Sequence, residues 1–157
     1  MEIKRDYYLR ELIDRLDNGL IKIITGIRRC GKSYLLNTIF KKYLLEQGTD
    51  KEHIIQLSLD ERTNFKYLDP DELDQYIRSL IIDEKKYYIL LDEIQEVKEF
   101  ESVLIGFMNI NNVEIYVTGS NSKFLSSDIV TEFRGRGDEI RVYPLSFAEF
   151  YSVYEGS

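Results

Sequence analysis

Short β-rich segments alternate with helical segments along this chain, and no other feature of the sequence limits its possible fold as strongly. The predicted strands are residues 20–25, 53–59, 87–91, 113–117 and 139–142. The third of them, YYILL, is apolar throughout, which is typical of a strand buried on both faces of a sheet. Helices of about 10–15 residues between such strands predict an α/β fold, in which a parallel sheet forms the middle of three layers.

The helical segments are predicted from apolar residues that recur at helical spacing and from the turn residues that follow them. In residues 6–17, Tyr8, Leu12 and Leu16 share one face, and Asn18-Gly19 follows as a stop signal. The other predicted helices are residues 32–47, 71–83, 97–109 and 146–154. Because no repeat, linker or low-complexity tract interrupts this order, we expect residues 1–157 to form a single domain.

The composition favours a folded cytoplasmic domain over a membrane or disordered one. Apolar residues make up 43% of the chain, and 12 tyrosines with 8 phenylalanines argue against disorder. Charged residues make up 31%, and no apolar run approaches the roughly 18 residues that span a bilayer. The charged first ten residues argue against a signal peptide, and a single cysteine excludes an internal disulfide framework.

The charge of the chain is acidic overall but unevenly spread. A net charge of −7 makes broad contact with a nucleic-acid backbone a poor hypothesis. Residues 18–45 nevertheless contain six basic residues and no acidic one, namely Lys22, Arg28, Arg29, Lys32, Lys41 and Lys42. This stretch is suited to receiving an anion, although chance clustering on a solvated helix explains the same composition.

Residues 26–33, GIRRCGKS, match the P-loop pattern G-x-x-x-x-G-K-[ST] (Walker A) between a predicted strand and a predicted helix. Gly26 and Gly31 allow a turn in which successive backbone N–H groups face a phosphate. Lys32 would reach the β- and γ-phosphates, and the hydroxyl of Ser33 would bind magnesium. The alternative is a glycine-rich turn without a ligand. The predicted nucleotide-binding residues are Gly26, Ile27, Arg28, Arg29, Cys30, Gly31, Lys32, Ser33 and Tyr34.

Two adjacent acids, Asp92 and Glu93, follow the apolar third strand, 59 residues after Ser33. Asp92 is predicted to hold Mg²⁺ through water beside Ser33. Glu93 is predicted to face the γ-phosphate and to orient or deprotonate an attacking water. An ordinary turn at a strand end gives the same pattern of acids, but its occurrence after a P-loop favours catalysis.

Two further polar groups are candidates for contact with the γ-phosphate. Ser120 or Asn121, after the fourth strand, would act as a sensor of the phosphate or the attacking water, unless the pair is simply a turn. Arg134 or Arg136, before the fifth strand, would stabilise charge in the same chain or a neighbouring one, unless the segment is a solvated turn.

The remaining reactive side chains give weaker signals. Cys30 is interpreted as a variable loop position, with a redox-sensitive thiol as the alternative. His53 is the sole histidine and is interpreted as structural, so neither a Cys–His nucleophile nor a zinc site is predicted.

Several segments together resemble a prokaryotic AAA-type ATPase family that is related to the archaeal and STAND-type ATPases of the AAA+ group. They are residues 23–36 (IITGIRRCGKSYLL), 90–95 (LLDEIQ), 117–121 (VTGSN), 135–136 (GR) and 142–150 (VYPLSFAEF). The resemblance implies the sheet order 5-1-4-3-2 and ATP rather than GTP, in agreement with the absence of a guanine-recognition N/TKxD motif. It also favours Arg136 over Arg134.

The resemblance completes the predicted function. We expect an ATPase that uses Mg²⁺ and the catalytic residues Lys32, Glu93, Asn121 and Arg136, and that couples hydrolysis to a conformational change. The alternative is a nucleotide-gated switch with little turnover, and a phosphotransferase ranks lower. Residues 5–9 would either cover the adenine base or pack as part of a helix. Homo-oligomers are possible, and because the chain ends at Ser157 we expect a core truncated before a C-terminal lid or effector domain.

Overall fold

The computed structural model describes residues 2–144 and shows five α-helical regions. Helix α1 is Glu2–Asp14, α3 is Pro70–Leu80, α4 is Phe100–Phe107 and α5 is Ser122–Leu125. Helix α2 is continuous and combines an α-helical turn Lys32–Tyr34, a π-helical segment Leu35–Phe40 and an α-helical segment Lys41–Glu46. Short 3₁₀ segments are Lys51–His53, Arg62–Leu68, Ile94–Glu96 and Ile129–Phe133.

The five strands form one parallel sheet, as the alternating sequence pattern predicts. They are β1 (Ile21–Thr25), β2 (Ile54–Ser58), β3 (Tyr87–Asp92), β4 (Val113–Gly119) and β5 (Gly137–Arg141). Their order is β2-β3-β4-β1-β5, and every neighbouring pair is parallel. This order is the predicted 5-1-4-3-2 viewed from the opposite edge of the sheet, so the predicted topology is confirmed.

Helices cover both faces of the sheet, because alternate strand residues point to opposite sides. On one face, Ile23, Leu91 and Val117 lie in a buried cluster with Leu73 of α3 and Phe107 of α4. On the other face a second buried cluster joins strand residues to α1 and α2, and it includes Leu12, Ile24, Leu36, Phe40, Leu90 and Tyr116. The three-layer architecture predicted from the sequence is therefore confirmed.

The ends of several elements differ from the predicted ends for local reasons. Helix α1 ends at Asp14 rather than residue 17, because the following turn places Asp17 (φ 60°) and Gly19 (φ 77°) in the left-handed region. Helix α3 ends at Leu80 rather than residue 83, since Ile81 has extended backbone angles. The segment Arg62–Leu68 and the short helices after β4 are not predicted from the sequence, and the predicted helix 146–154 lies outside the described residues.

Within residues 2–144 no helix is both long enough and apolar enough to cross a bilayer.

Candidate functional site

The carboxyl ends of β1, β3 and β4 lie side by side and carry the polar residues singled out from the sequence. Thr25 pairs with Gly119, and Leu91 pairs with Val117, so the residues after these strands emerge at one edge of the sheet. In open α/β sheets this carboxyl edge is where ligands bind. The topology thus brings the P-loop together with the two acids at the end of β3.

The backbone of the P-loop needs glycine at its first position. Gly26 has φ 151°, and a Cβ atom at this position would collide with the carbonyl oxygen of Val142 in the segment after β5. Arg29 (φ 67°) and Gly31 (φ 98°) also lie in the left-handed region, so the chain reverses sharply before α2 begins. The left-handed conformation is uncommon for residues with a side chain, and it gives the loop a shape specific to this segment.

Lys32 is a buried cation at the start of α2. The residue is only 4% exposed. Its Nζ donates to the carbonyl oxygen of Ile27 at 2.9 Å and lies 3.8 Å from Sγ of Cys30. Among the side chains that the structure describes, residues 6–144, no carboxylate lies within ion-pair distance of this ammonium. A buried charge normally has a partner of opposite sign, so the position is suited to an anionic ligand.

Ser33 and Asp92 join the start of α2 to the end of β3. The Ser33 hydroxyl lies 2.9 Å and 2.8 Å from the two carboxylate oxygens of Asp92, and the Thr118 hydroxyl donates to Oδ1 at 2.6 Å. Burial raises the pKa of Asp92, and the hydrogen bonds from Thr118 and Ser33 oppose that increase. The arrangement places the carboxylate of a buried aspartate against the hydroxyl oxygen of an exposed serine.

These oxygen donors fit a magnesium ion. Mg²⁺ prefers hard oxygen ligands and is usually held by one or two carboxylates together with phosphates and water. No group of three or more His, Cys, Asp or Glu side chains that would hold a metal on its own occurs in the described part of the chain. Ser33 and Asp92 therefore fit the predicted ligand set only if a phosphate ligand completes the coordination.

Glu93 is fixed through both its backbone and its carboxylate. Its backbone lies in the left-handed region (φ 55°), and its N–H donates to the hydroxyl oxygen of Thr118 at 2.8 Å. Its carboxylate accepts from the Ser120 hydroxyl at 2.6 Å and from Nε2 of Gln95 at 2.9 Å. Thr118 consequently bonds to both acids, and Glu93 is 5% exposed at the same edge as Lys32.

The two candidate sensor residues have different surroundings. Ser120 is buried and contacts Glu93, as described above. Asn121 is exposed, and its Oδ1 accepts from the backbone N–H of Phe124 at 3.1 Å, which caps the N-terminus of α5. The Asn121 side chain is thus occupied by a local helix cap, and Ser120 is the one directed towards the acids.

Both candidate arginines lie at the amino ends of the strands, whereas the P-loop lies at their carboxyl ends. The carbonyl oxygen of Arg136 accepts from the N–H of Ile21, the first residue of β1, and Gly137 pairs with the same residue. Four strand steps of about 3.3 Å, or about 13 Å, separate this amino edge from Thr25. Arg134 immediately precedes this turn and is also exposed, so the fold does not bring either guanidinium to the site of the same chain.

Two residues of the site were not assigned a role from the sequence. Thr118 is a polar residue in an otherwise apolar strand end, and Gln95 lies two residues after Glu93. The polar interruption of β4 was an available signal for Thr118. The position of Gln95 depends on the 3₁₀ turn Ile94–Glu96, which the sequence pattern does not predict.

Comparisons with known proteins agree with this geometry. Residues 18–151 match the model of a family described as an AAA domain. The chain is similar to an uncharacterized protein of Haemophilus influenzae, with 38% identity over 152 residues that cover 94% of this chain and 37% of that protein. The chain spans about a third of the length of the curated relatives it matches.

Solved structures show the same fold at low sequence identity. The structure of Caenorhabditis elegans PCH-2 is similar with a TM-score of 0.62 and 17% identity, covering 97% of this chain and 44% of that one. The structure of AMPPCP-bound DnaA from Aquifex aeolicus is similar with a TM-score of 0.59 and 16% identity, covering 95% of this chain and 48% of that one.

Proposed function

The chain belongs to the AAA domain family of AAA+ P-loop ATPases, as the sequence resemblance predicts, and on this basis we propose that it binds ATP with Mg²⁺ and hydrolyses ATP to ADP and phosphate. The observation that carries the proposal is the contact of Ser33 with Asp92 at 2.8–2.9 Å. It joins the P-loop helix to the acidic strand end, where a phosphate-bound cation needs two oxygen ligands.

In this proposal the phosphates of ATP lie on the loop formed by residues 26–33. Successive N–H groups of a glycine-containing loop and the start of a helix attract anionic oxygens. Lys32 exchanges its bond to the Ile27 carbonyl for oxygens of the β- and γ-phosphates, which supply its buried ammonium with an anionic partner. The exposed side chains of Ile27 and Tyr34 border the same loop.

Ser33 and Asp92 are the proposed ligands of Mg²⁺, with Asp92 acting through water. When bound, the cation would neutralise negative charge on the β- and γ-phosphates. Ser33 already lies within hydrogen-bond distance of both Asp92 oxygens, so little rearrangement of the protein is needed to present the two oxygen ligands together.

Glu93 is the proposed general base. Water attacks the γ-phosphorus, the bond to the β–γ bridging oxygen breaks, and a proton of the water passes to the Glu93 carboxylate. Support comes from the position of Glu93 directly after Asp92 and from its rigid attachment to Thr118 and Ser120. Ser120 is the favoured sensor on this geometry, with Asn121 as the alternative.

An arginine from another copy of the chain is proposed to complete the site. Because Arg134 and Arg136 lie exposed at the amino edge of their own sheet, either one would serve a neighbouring molecule rather than its own phosphates. This arrangement requires a homo-oligomer in which the amino edge of one core approaches the carboxyl edge of the next.

Helix α1 is proposed to lie near the adenine base. The Tyr8 hydroxyl accepts from the N–H of Tyr143 at 3.1 Å, and the adjacent Val142 donates to the carbonyl oxygen of Thr25 at 2.7 Å. These contacts place α1 beside the segment that leads into the P-loop.

Binding and turnover of ATP, measured in the full chain over a range of protein concentrations, test the proposal. Lys32→Ala is expected to abolish nucleotide binding, and Glu93→Gln is expected to retain binding and lose phosphate release. Lys42→Ala is a matched control, because it removes an exposed lysine from the same helix. Turnover per chain that rises with protein concentration would support an arginine supplied by a neighbour.

The second candidate function is a nucleotide-gated switch. The carboxylate of Glu93 is engaged by Ser120 and Gln95, which is compatible with a resting arrangement that does not hydrolyse ATP. Tight binding of ATP and a nucleotide-dependent change of oligomer, without steady-state phosphate release, would favour the switch. Absence of any nucleotide binding would contradict both candidates.

A further inference from the structure

We propose that Gln95 is a positioning residue for Glu93, an inference that rests on the proposed hydrolysis of ATP. Gln95 donates through Nε2 to Oε1 of Glu93 at 2.9 Å, and its Oε1 accepts from the backbone N–H of Ser120 at 3.4 Å. The side chain therefore bridges the proposed base to the end of β4. It acts through Glu93 and does not itself contact the substrate.

The turn that carries Gln95 is anchored in the core. Ile94 is fully buried and begins the 3₁₀ segment Ile94–Glu96, while the Gln95 side chain is only half-buried. The buried residue fixes the turn, and the turn directs the Gln95 amide towards the acids.

The hydrogen-bond partners of the Gln95 amide define which of its ends faces Glu93. The Nε2 end meets two carboxylates, Glu93 at 2.9 Å and Glu96 at 3.4 Å, whereas the Oε1 end meets the N–H of Ser120. Only the amino end of an amide donates, so the reversed orientation would place an acceptor against two carboxylates. This orientation directs a hydrogen-bond donor towards Glu93.

The bridge leaves one oxygen of Glu93 available. Oε1 receives the Ser120 hydroxyl at 2.6 Å and Gln95 at 2.9 Å, while Oε2 lies 3.1 Å from that same hydroxyl. A hydroxyl has one hydrogen, and the shorter distance assigns it to Oε1. Among residues 6–144, whose side chains the structure describes, Oε2 has no other donor, so Gln95 and Ser120 together present Oε2 as the atom that accepts the proton of the attacking water.

Steady-state hydrolysis of MgATP by the full chain tests this role with variants that differ in hydrogen bonding. Gln95→Met keeps approximately the length of the side chain and removes both hydrogen bonds, and Gln95→Ala removes the side chain altogether. Both are expected to lower kcat by about 10- to 100-fold, because a misplaced base loses the geometry of the reacting groups. KM and the dissociation constant of ATP are expected to change by less than about twofold.

Two further variants separate positioning from a general structural effect. Glu96→Ala is the matched control, since it removes the other carboxylate that Gln95 meets without touching Glu93, and it should leave kcat unchanged. In a double-variant cycle, Gln95→Met should cause little additional loss when Glu93 is already Gln, because Gln95 acts through that carboxylate.

The outcomes distinguish this inference from the proposed function. Wild-type protein without phosphate release would overturn both. A loss of turnover in Glu93→Gln together with unchanged or increased kcat in Gln95→Met would overturn the role of Gln95 alone. Independent, additive losses in the double variant, or a rise of KM at constant kcat, would also overturn it.

Discussion

The hydroxyl of Ser120 lies 2.6 Å from the carboxylate of Glu93, and this contact ties the end of β4 to the residue that follows β3. It connects two neighbouring strands at the carboxyl end of the sheet, where the P-loop begins after β1. A change in the position of either strand end would therefore change the position of the proposed base. In the proposed function, this coupling would connect Ser120, the proposed sensor, to the position of the base.

The different environments of Ser120 and Asn121 predict different phenotypes. Ser120→Ala is expected to lower kcat by about 10-fold or more, because it frees the Glu93 carboxylate. Asn121→Ala is expected to cost about 1 kcal/mol of unfolding free energy, because it removes the cap of α5. Urea unfolding and phosphate release measured on both variants test the assignment. A kcat loss confined to Asn121→Ala would instead identify Asn121 as the sensor.

Asp92→Asn is expected to stabilise the nucleotide-free protein at neutral pH while abolishing Mg²⁺-dependent turnover. Burial raises the pKa of Asp92, so folding disfavours its charged form. A raised pKa contributes stability below the pKa of the unfolded state, and this contribution is lost as the pH rises through the folded pKa. The unfolding free energy of Asp92→Asn, measured by denaturant titration, should thus exceed that of the wild type by an amount that grows from acidic to neutral pH. Equal stability of both proteins at every pH would contradict this account.

The buried ion pair of Lys22 with Glu114 predicts a large loss of stability when one partner is removed. The pair spans 2.7 Å, and the two side chains are 1% and 7% exposed. Glu114→Ala leaves a buried ammonium without its carboxylate, for which we expect a cost of about 3–5 kcal/mol. Lys86→Ala removes a more exposed cation near the same carboxylate and should cost about 1 kcal/mol or less. Equal effects of the two variants in urea unfolding would contradict the prediction.

The contact of His53 with Asp83 predicts an acid-sensitive contribution to stability. The hydrogen bond from His53 Nε2, 2.9 Å long, is the largest cause that lowers the pKa of Asp83. A lowered pKa contributes stability above the unfolded pKa of an aspartate, and that contribution disappears as the pH falls through the folded value. Asp83→Asn should therefore lower the melting temperature at pH 7, and the difference from wild type should shrink towards pH 3. A difference that stayed constant over this range would count against the contact.

The basic stretch at residues 18–45 illustrates why a sequence cluster is not a surface patch. Lys22 is buried against Glu114, Lys32 folds over its own loop, and Lys41 donates to Gln56 at 3.0 Å. Three of the six basic residues therefore have separate partners in three parts of the fold. A count of charges along the chain does not reveal these separate partners, because successive residues of a strand or a helix point in different directions.

Local sequence was sufficient to predict the P-loop and a parallel sheet, whereas the order of the strands was implied by the family resemblance. Gly26 and Gly31 impose a turn through their own backbone freedom, and Lys32 and Ser33 follow within the same segment, so no distant contact is needed to recognise the pattern. The periodicity of the apolar residues likewise predicts the parallel sheet, because burial of both faces leaves few alternative arrangements.

Tertiary structure decided which residues meet. Ser33 and Asp92 are 59 positions apart, and only the parallel pairing of the strands brings them within 2.9 Å. The same pairing turns Ser120 towards Glu93 and leaves Arg136 at the opposite edge. The sequence alone determined the kinds of groups available and their local backbone shape. The face to which a side chain points, and the end of the sheet at which it lies, depend on the register of the strands. That register is set by the packing of the whole core.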